Sequence, residues 1–233
     1  MIAPSTIAIG DIHGCFDKLQ ALLGVCKEIC DGHDTRLVFI GDYVDRGPRS
    51  RDVVECLIRA QSDQAQRLVC LRGNHEELLI RTADKDRSDR DLMTWWGNGG
   101  EQTLESYGVD DPSDLPAEHL DWMRSLPLQM HDQFRMFVHA GIRPGVALSS
   151  QSAEDMLWIR EPFLSSAEDY GTFLVHGHTP TNSRRPDLRP NRLNIDTGAC
   201  FGGPLTAAAF SNESIAPLFF IKDSGEVTLP GNE

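Results

Sequence analysis

Three segments of this chain place metal-ligand side chains directly after a glycine. They are Gly10-Asp11-Ile12-His13-Gly14, Gly41-Asp42-Tyr43-Val44-Asp45-Arg46-Gly47 and Gly73-Asn74-His75-Glu76. Carboxylate, imidazole and amide oxygen suit divalent first-row ions, and cysteine is missing from all three segments, which argues against a structural zinc site. Further along, Val138-His139-Ala140-Gly141 and His176-Gly177-His178 repeat the arrangement. Asp11 and His13 can serve one ion. Asn74, His139 and one of His176 and His178 can serve a second, with Asp42 as the bridge. Two dications ~3.5–4 Å apart can hold a hydroxide between them and polarise a phosphoryl oxygen without a covalent enzyme intermediate. His75 is not needed as a ligand, so it is free to protonate a leaving oxygen. Asp45 is placed to orient that imidazole, and Arg46 and Arg160 to clamp phosphate oxygens.

The elements that must hold these side chains are legible in the runs before them. Thr6–Ile9, Arg36–Ile40 and Arg67–Arg72 are short aliphatic stretches ending at the three signatures, and they read as buried strands. Helical periodicity follows the first two, with Phe16, Leu19, Leu22, Leu23 and Cys26 in one case and Val53, Val54, Leu57 and Ile58 in the other. Such βαβ units build a parallel sheet, and ligands gather beyond the carboxyl ends of its strands. Residues 78–125 change texture and read as a mainly helical cap, with Gly97, Gly99 and Gly100 in a tight loop. Trp95 and Trp96 belong to the packing of that cap. Leu128–Val138 reads as two strands around Asp132-Gln133, and a helix is expected near Ala153–Trp158. Strands lead into His176 and Asp196, and Leu205–Phe210, Ala216–Ile221 and Val227–Leu229 close the chain as antiparallel strands.

A chain of 233 residues is long enough for one α/β domain over 1–233 with a sizeable core. The formal net charge of −13 argues against nucleic acid as a partner, since a phosphate backbone asks for a basic surface. No apolar run approaches the ~20 residues a membrane span needs, and no basic-then-apolar leader opens the sequence. Six cysteines without a CxxC pair read as buried apolar thiols of a cytoplasmic protein. His33, His119 and His131 fit no motif and are expected to face solvent. The charged run Arg81–Asp91 is expected to be a solvated face.

The three signatures, in this order and at these intervals, resemble those of the phosphoprotein phosphatase (PPP) family of calcineurin-like metallophosphoesterases. The likeness is strongest to the bacterial branch that includes phage lambda protein phosphatase. It extends through Val138–Gly141, Leu157–Glu161, His176–Pro180 and Ile195–Gly198, and so covers nearly the whole chain. The resemblance implies a four-layer αββα sandwich. It implies Asp11, His13 and Asp42 on one ion, and Asp42, Asn74, His139 and His178 on the other, which settles the choice against His176. His75 becomes the general acid supported by Asp45, and Arg46 and Arg160 the phosphate ligands. It further implies two divalent ions, manganese foremost and iron, zinc, nickel or cobalt otherwise. The implied substrate is phosphoserine or phosphothreonine on a protein or peptide. A related activity, symmetrical hydrolysis of diadenosine tetraphosphate, goes with Gly-Asn-His-Asp in the third signature. Glu76 at that place favours the protein phosphatase. A binding module without catalysis would show lost ligands, and every position is filled.

Overall fold

The computed structural model describes residues 4–64 and 66–231; the remaining positions of the expected 1–233 unit lie outside the described residues. Strands β1 (Thr6–Ile9), β2 (Arg36–Phe39) and β3 (Leu68–Cys70) alternate with helices α1 (Phe16–Ile29) and α2 (Ser50–Asp63). The three strands are parallel, with Ile7 opposite Leu37 and Leu37 opposite Leu68, as the βαβ reading requires. The closing strands β9 (Thr206–Phe210), β10 (Phe219–Lys222) and β11 (Val227–Thr228) are antiparallel to one another, as expected. Of these, β9 pairs antiparallel with β1, which completes a six-stranded sheet in the order β11-β10-β9-β1-β2-β3.

A second sheet has five strands. Its members are β4 (Gln129–His131), β5 (Arg135–Val138), β6 (Phe173–His176), β7 (Asp187–Leu188) and β8 (Arg192–Asn194), in the order β4-β5-β6-β8-β7. Here β5, β6 and β8 run parallel, so this sheet also presents several strand carboxyl ends on one edge.

Period-two alternation divides the strand residues between layers. Ile7, Ile9, Phe39, Ala207, Ala209 and Ile221 point to α1 and α2, with Leu19, Leu22, Val53 and Leu57 against them. Their neighbours Ala8, Val38, Phe210 and Phe220 face Phe137, Val175 and Leu193 across the gap between the sheets. On the far side Met136, Val138 and Leu174 pack with Met156, Ile159 and Phe163, the first of these from helix α7 (Ala153–Trp158). Three apolar interfaces separate four layers: helices, sheet, sheet, helix.

The stretch after the third signature is helical, as expected: α3 (Asn74–Ala83), α4 (Asp89–Gly97), α5 (Gly100–Tyr107) and α6 (Ala117–Ser125). Ser88 caps α4, its Oγ accepting the Asp91 N–H at 3.2 Å. Gly99 at φ 97° and Gly108 at φ 69° bracket α5 in left-handed conformations that few other residues adopt. His119 departs from expectation. It is only 8% exposed, and its Nδ1 shares a 2.9 Å hydrogen bond with the Tyr107 hydroxyl, so the side chain joins α5 to α6. His33 and His131 are exposed, and Arg81–Asp91 is mostly so. Among the described residues, no helix is long and apolar enough to cross a membrane.

Candidate active site

Each candidate ligand sits just past the carboxyl end of a parallel strand, where the chain turns sharply. His13, Asp42, Asp45, Arg46 and His178 all have φ between 45° and 70°, although none is glycine. Left-handed conformations of this kind cost about 1–3 kcal/mol each and persist where surrounding bonds over-determine them. Glu76 supplies four such bonds. Its carboxylate accepts the N–H groups of Asp42 (2.9 Å), Tyr43 (2.7 Å), Val44 (3.3 Å) and Gly73 (2.9 Å). Gly73 must be glycine, because a Cβ there would lie 2.2 Å from Asp42 Oδ1.

Asp42 is the centre of the assembly. Its Oδ2 lies 3.3 Å from His13 Nε2 and 3.9 Å from His75 Nε2, and its Oδ1 lies 3.3 Å from His139 Nε2. Asn74 Oδ1 stands 2.9 Å from His139 Nε2 and 2.7 Å from His178 Nδ1. The tightest sets of ligand atoms are therefore His13, Asp42 and His75 on one side and Asp42, His139 and His178 on the other. Asp11 is outside these tightest sets. Its Oδ2 accepts the His178 N–H at 2.9 Å, and its Oδ1 has no hydrogen-bond partner among the described residues. His176 turns elsewhere, with its ring 5.0 Å from that of Phe163 and Nε2 3.3 Å from Arg192 Nη1.

The residues fit divalent ions on their own chemistry. Carbonyl oxygens of Val44 and Ile40 accept from Nδ1 of His13 and His139, each at 2.9 Å. Those bonds fix the tautomers and turn both Nε2 lone pairs toward Asp42. Acceptor thus faces acceptor, an arrangement that a cation resolves. Nε2 of His178 and Oδ1 of Asp11 are buried without hydrogen-bond partners among the described residues. A positive group already stands at the entrance: Arg46 Nη1 lies 2.6 Å from His13 Nε2.

The electrostatics agree. Burial, then Asp196 and Asp42, push the Asp11 carboxyl well above its ordinary range, which marks a pocket rich in negative charge. Burial works against ionisation of Asp42, but His139, His75 and His13 hold its carboxyl well below the usual value. Burial, reinforced by His139, lowers His178 to about 2, so this ring is neutral, as a metal ligand must be.

Beside this cluster His75 Nδ1 meets Asp45 Oδ2 at 2.7 Å, with both residues buried. A carboxylate only accepts, so Nδ1 carries the proton and Nε2 faces the cluster. Arg46 is half-buried and packs over the Phe201 ring at 5.3 Å. Arg160 is exposed, and among the described residues its side chain makes no hydrogen bond or ion pair to the cluster. Its charge nevertheless contributes to lowering His178.

Sequence reasoning missed several participants. Glu76 shapes the Asp42 loop from inside and touches no open space. Asp196, beyond β8, is buried and its carboxyl is raised to about 6 by that burial. The strand–aspartate–glycine order at Ile195–Gly198 was a signal available for it. Trp95 and Thr103 both reach Asp45 from the cap, and no local pattern points there.

Comparison with known proteins bears on the same residues. The family model described as calcineurin-like phosphoesterase matches residues 4–203. A serine/threonine-protein phosphatase 1 from Salmonella typhimurium is 32% identical over 212 residues, covering 86% of this chain and 89% of that protein. A bis(5'-nucleosyl)-tetraphosphatase PrpE, asymmetrical, from Bacillus velezensis is 29% identical, with 87% of each chain covered. A crystal structure of a candidate diadenosine tetraphosphatase superposes with a TM-score of 0.67 at 22% identity, covering 93% of both chains. With two sheets in the layered αββα order and the family model spanning most of its length, the chain belongs to the calcineurin-like phosphoesterases, a family dependent on two metal ions.

Proposed function

We infer that this phosphoesterase is a protein phosphatase, acting on phosphoserine and phosphothreonine of proteins or peptides. The observation that carries the phosphomonoesterase reading is the ring of acceptors around Asp42, set directly beside the His75–Asp45 pair. Asp11, His13 and Asp42 would hold one ion, and Asp42, Asn74, His139 and His178 the other. Two bound dications, with manganese as the proposed pair, would neutralise phosphate charge and lower the pKa of the attacking water.

The remaining work falls to side chains of the chain itself. His75 Nε2 faces the cluster and can pass a proton to the departing oxygen, while Asp45 stabilises the ring through Nδ1. Arg46 lies close enough to His13 to bind a phosphate oxygen at the entrance, and the exposed Arg160 can swing to another. Six free thiols support a reducing, cytoplasmic setting. The net charge of −13 supports a partner other than nucleic acid.

The similarity to the Salmonella phosphatase supports the protein substrate. A dinucleotide polyphosphate would need cap arginines as a clamp, and of these Arg90 is exposed while two are paired. Arg87 is committed to Asp111, and Arg81 to Glu77 at 2.9 Å. Glu76 carries less weight than its place in the signature suggests, since it is buried under the Asp42 loop. Dinucleoside tetraphosphate hydrolysis is the second reading, favoured by the PrpE relative, which matches over 87% of each chain.

The deciding experiment compares kcat/KM with manganese for phosphoserine and phosphothreonine peptides and for diadenosine tetraphosphate, with products resolved by chromatography. Preference for the peptides by an order of magnitude or more is expected. Preference for the dinucleotide overturns the protein substrate and makes nucleotide clearance the function.

A further inference from the structure

The cap does more than cover the site. From α4, the Trp95 indole Nε1–H donates to both oxygens of Asp45, at 3.0 Å each. From α5, the Thr103 hydroxyl donates to Asp45 Oδ1 at 2.7 Å and accepts the Asp45 N–H at 2.9 Å. Both side chains are fully buried. The loop between these helices takes hold of the next residue, where Gly99 O accepts the Arg46 N–H at 3.0 Å. Close approach explains the glycines: a Cβ on Gly99 would lie 2.8 Å from Arg46, and one on Gly100 would lie 2.4 Å from the Trp95 ring. Asp45 and Arg46 are consecutive left-handed residues, at φ 70° and 69°, so the grip of the cap opposes a real tendency to relax.

We propose that Trp95 and Thr103 are positioning residues of the cap, which hold the Asp45 carboxylate against His75 and so govern proton delivery to the leaving group. This rests on the general-acid reading of His75. The indole donates to both oxygens and the hydroxyl to Oδ1, while Oδ2 also accepts from the His75 imidazole at 2.7 Å. Loss of either donor leaves His75 in place but lets its partner rotate.

The test uses the full chain loaded with manganese, and two aryl esters that differ in their need for an acid. Phenyl phosphate releases a poor leaving group, and 4-nitrophenyl phosphate a good one. Trp95→Phe keeps a ring of similar shape without the donor; Thr103→Val is an isostere without the hydroxyl, and Thr103→Ser restores it. Trp95→Phe and Thr103→Val are expected to lower kcat on phenyl phosphate ~10-fold or more, and on 4-nitrophenyl phosphate by about 3-fold or less, the scale set by outer-shell partners. KM and metal content are expected to stay unchanged, and Thr103→Ser to recover the loss. In metal-free protein, the downfield proton resonance of His75 Nδ1–H should broaden in the same two variants and sharpen again in Thr103→Ser.

Equal losses on both esters, or no loss on either, would overturn the proposal. Should Trp95→Phe fail to fold, the Thr103 pair decides alone. His75→Asn serves as the reference. If its loss is the same on both esters, the general-acid reading itself fails. If its loss is steep on phenyl phosphate while the cap variants stay flat, only the positioning role falls.

Discussion

The Glu76 carboxylate accepts the Asp42 N–H at 2.9 Å from beneath, so a residue of the third signature holds the loop of the second. Glu76 is fully buried, and its carboxyl is raised to about 7 by burial and by Asp42, against the pull of the N–H groups it accepts. Two signatures separated by a helix are one structural unit here. Their joint purpose is to hold Asp42 in a left-handed conformation at the centre of the cluster.

Shortening that contact tests the unit. Glu76→Asp keeps the carboxyl but shortens its reach to the N–H groups it accepts. Each orphaned buried donor costs about 1–3 kcal/mol, so a clear drop in the urea midpoint is expected. The ratio of peptide to dinucleotide kcat/KM should remain within about 2-fold, because outer-shell losses act on both substrates alike. A large swing in that ratio would show that Glu76 selects substrate directly.

His75→Asn should lower kcat on phosphopeptide ~10²–10⁴-fold, the usual contribution of a positioned acid. Metal analysis should still find two ions per chain, since the proposed assignment gives His75 to neither. The tight set of His13, Asp42 and His75 makes this a genuine test. Loss of one ion would reassign His75 from acid to ligand.

Asp42→Asn should weaken both ions together, because its two oxygens face opposite histidines at 3.3 Å. Isothermal titration with manganese reads the two sites separately. Retention of one site at full affinity would refute the bridging role.

A pH experiment addresses the cap alone. Hydrogen bonds from Arg87, then from Ser113, lower the Asp111 carboxyl from its ordinary value to about 2. The unfolded chain then binds the proton more readily than the folded one. Stability from this pair is therefore complete above about pH 4, the unfolded carboxyl range, and is lost as pH falls through about 2. Calorimetry should find wild type melting above Arg87→Gln at pH 6, and the gap narrowing between pH 4 and 2. A constant gap across that window would mean that packing, not charge, makes the difference.

Much of the site was legible because its information is local. An aliphatic run, a glycine and a ligand type describe a strand end, a sharp turn and a donor, and chain stereochemistry links them within a few residues. That local order located Asp11, His13, Asp42, Asn74 and His139. It also read the helical stretch at 78–125 and the strands on either side of Asp132. By itself it left His176 and His178 equivalent, since one ends β6 and the other lies two residues beyond it.

Tertiary structure decided between them by direction. His176 packs on Phe163 and Arg192, whereas His178, at φ 65°, turns into the cluster. It also decided where β9 to β11 belong, for antiparallel pairing with β1 depends on partners some two hundred residues away. The sequence by itself determined the chemistry available at each strand end. Only the folded chain determined which cap residues support that chemistry: Trp95 and Thr103 lie 50 and 58 positions from Asp45, beyond the reach of any local period. Their hydrogen bonds exist because helix packing brings buried donors to a buried carboxylate that needs them.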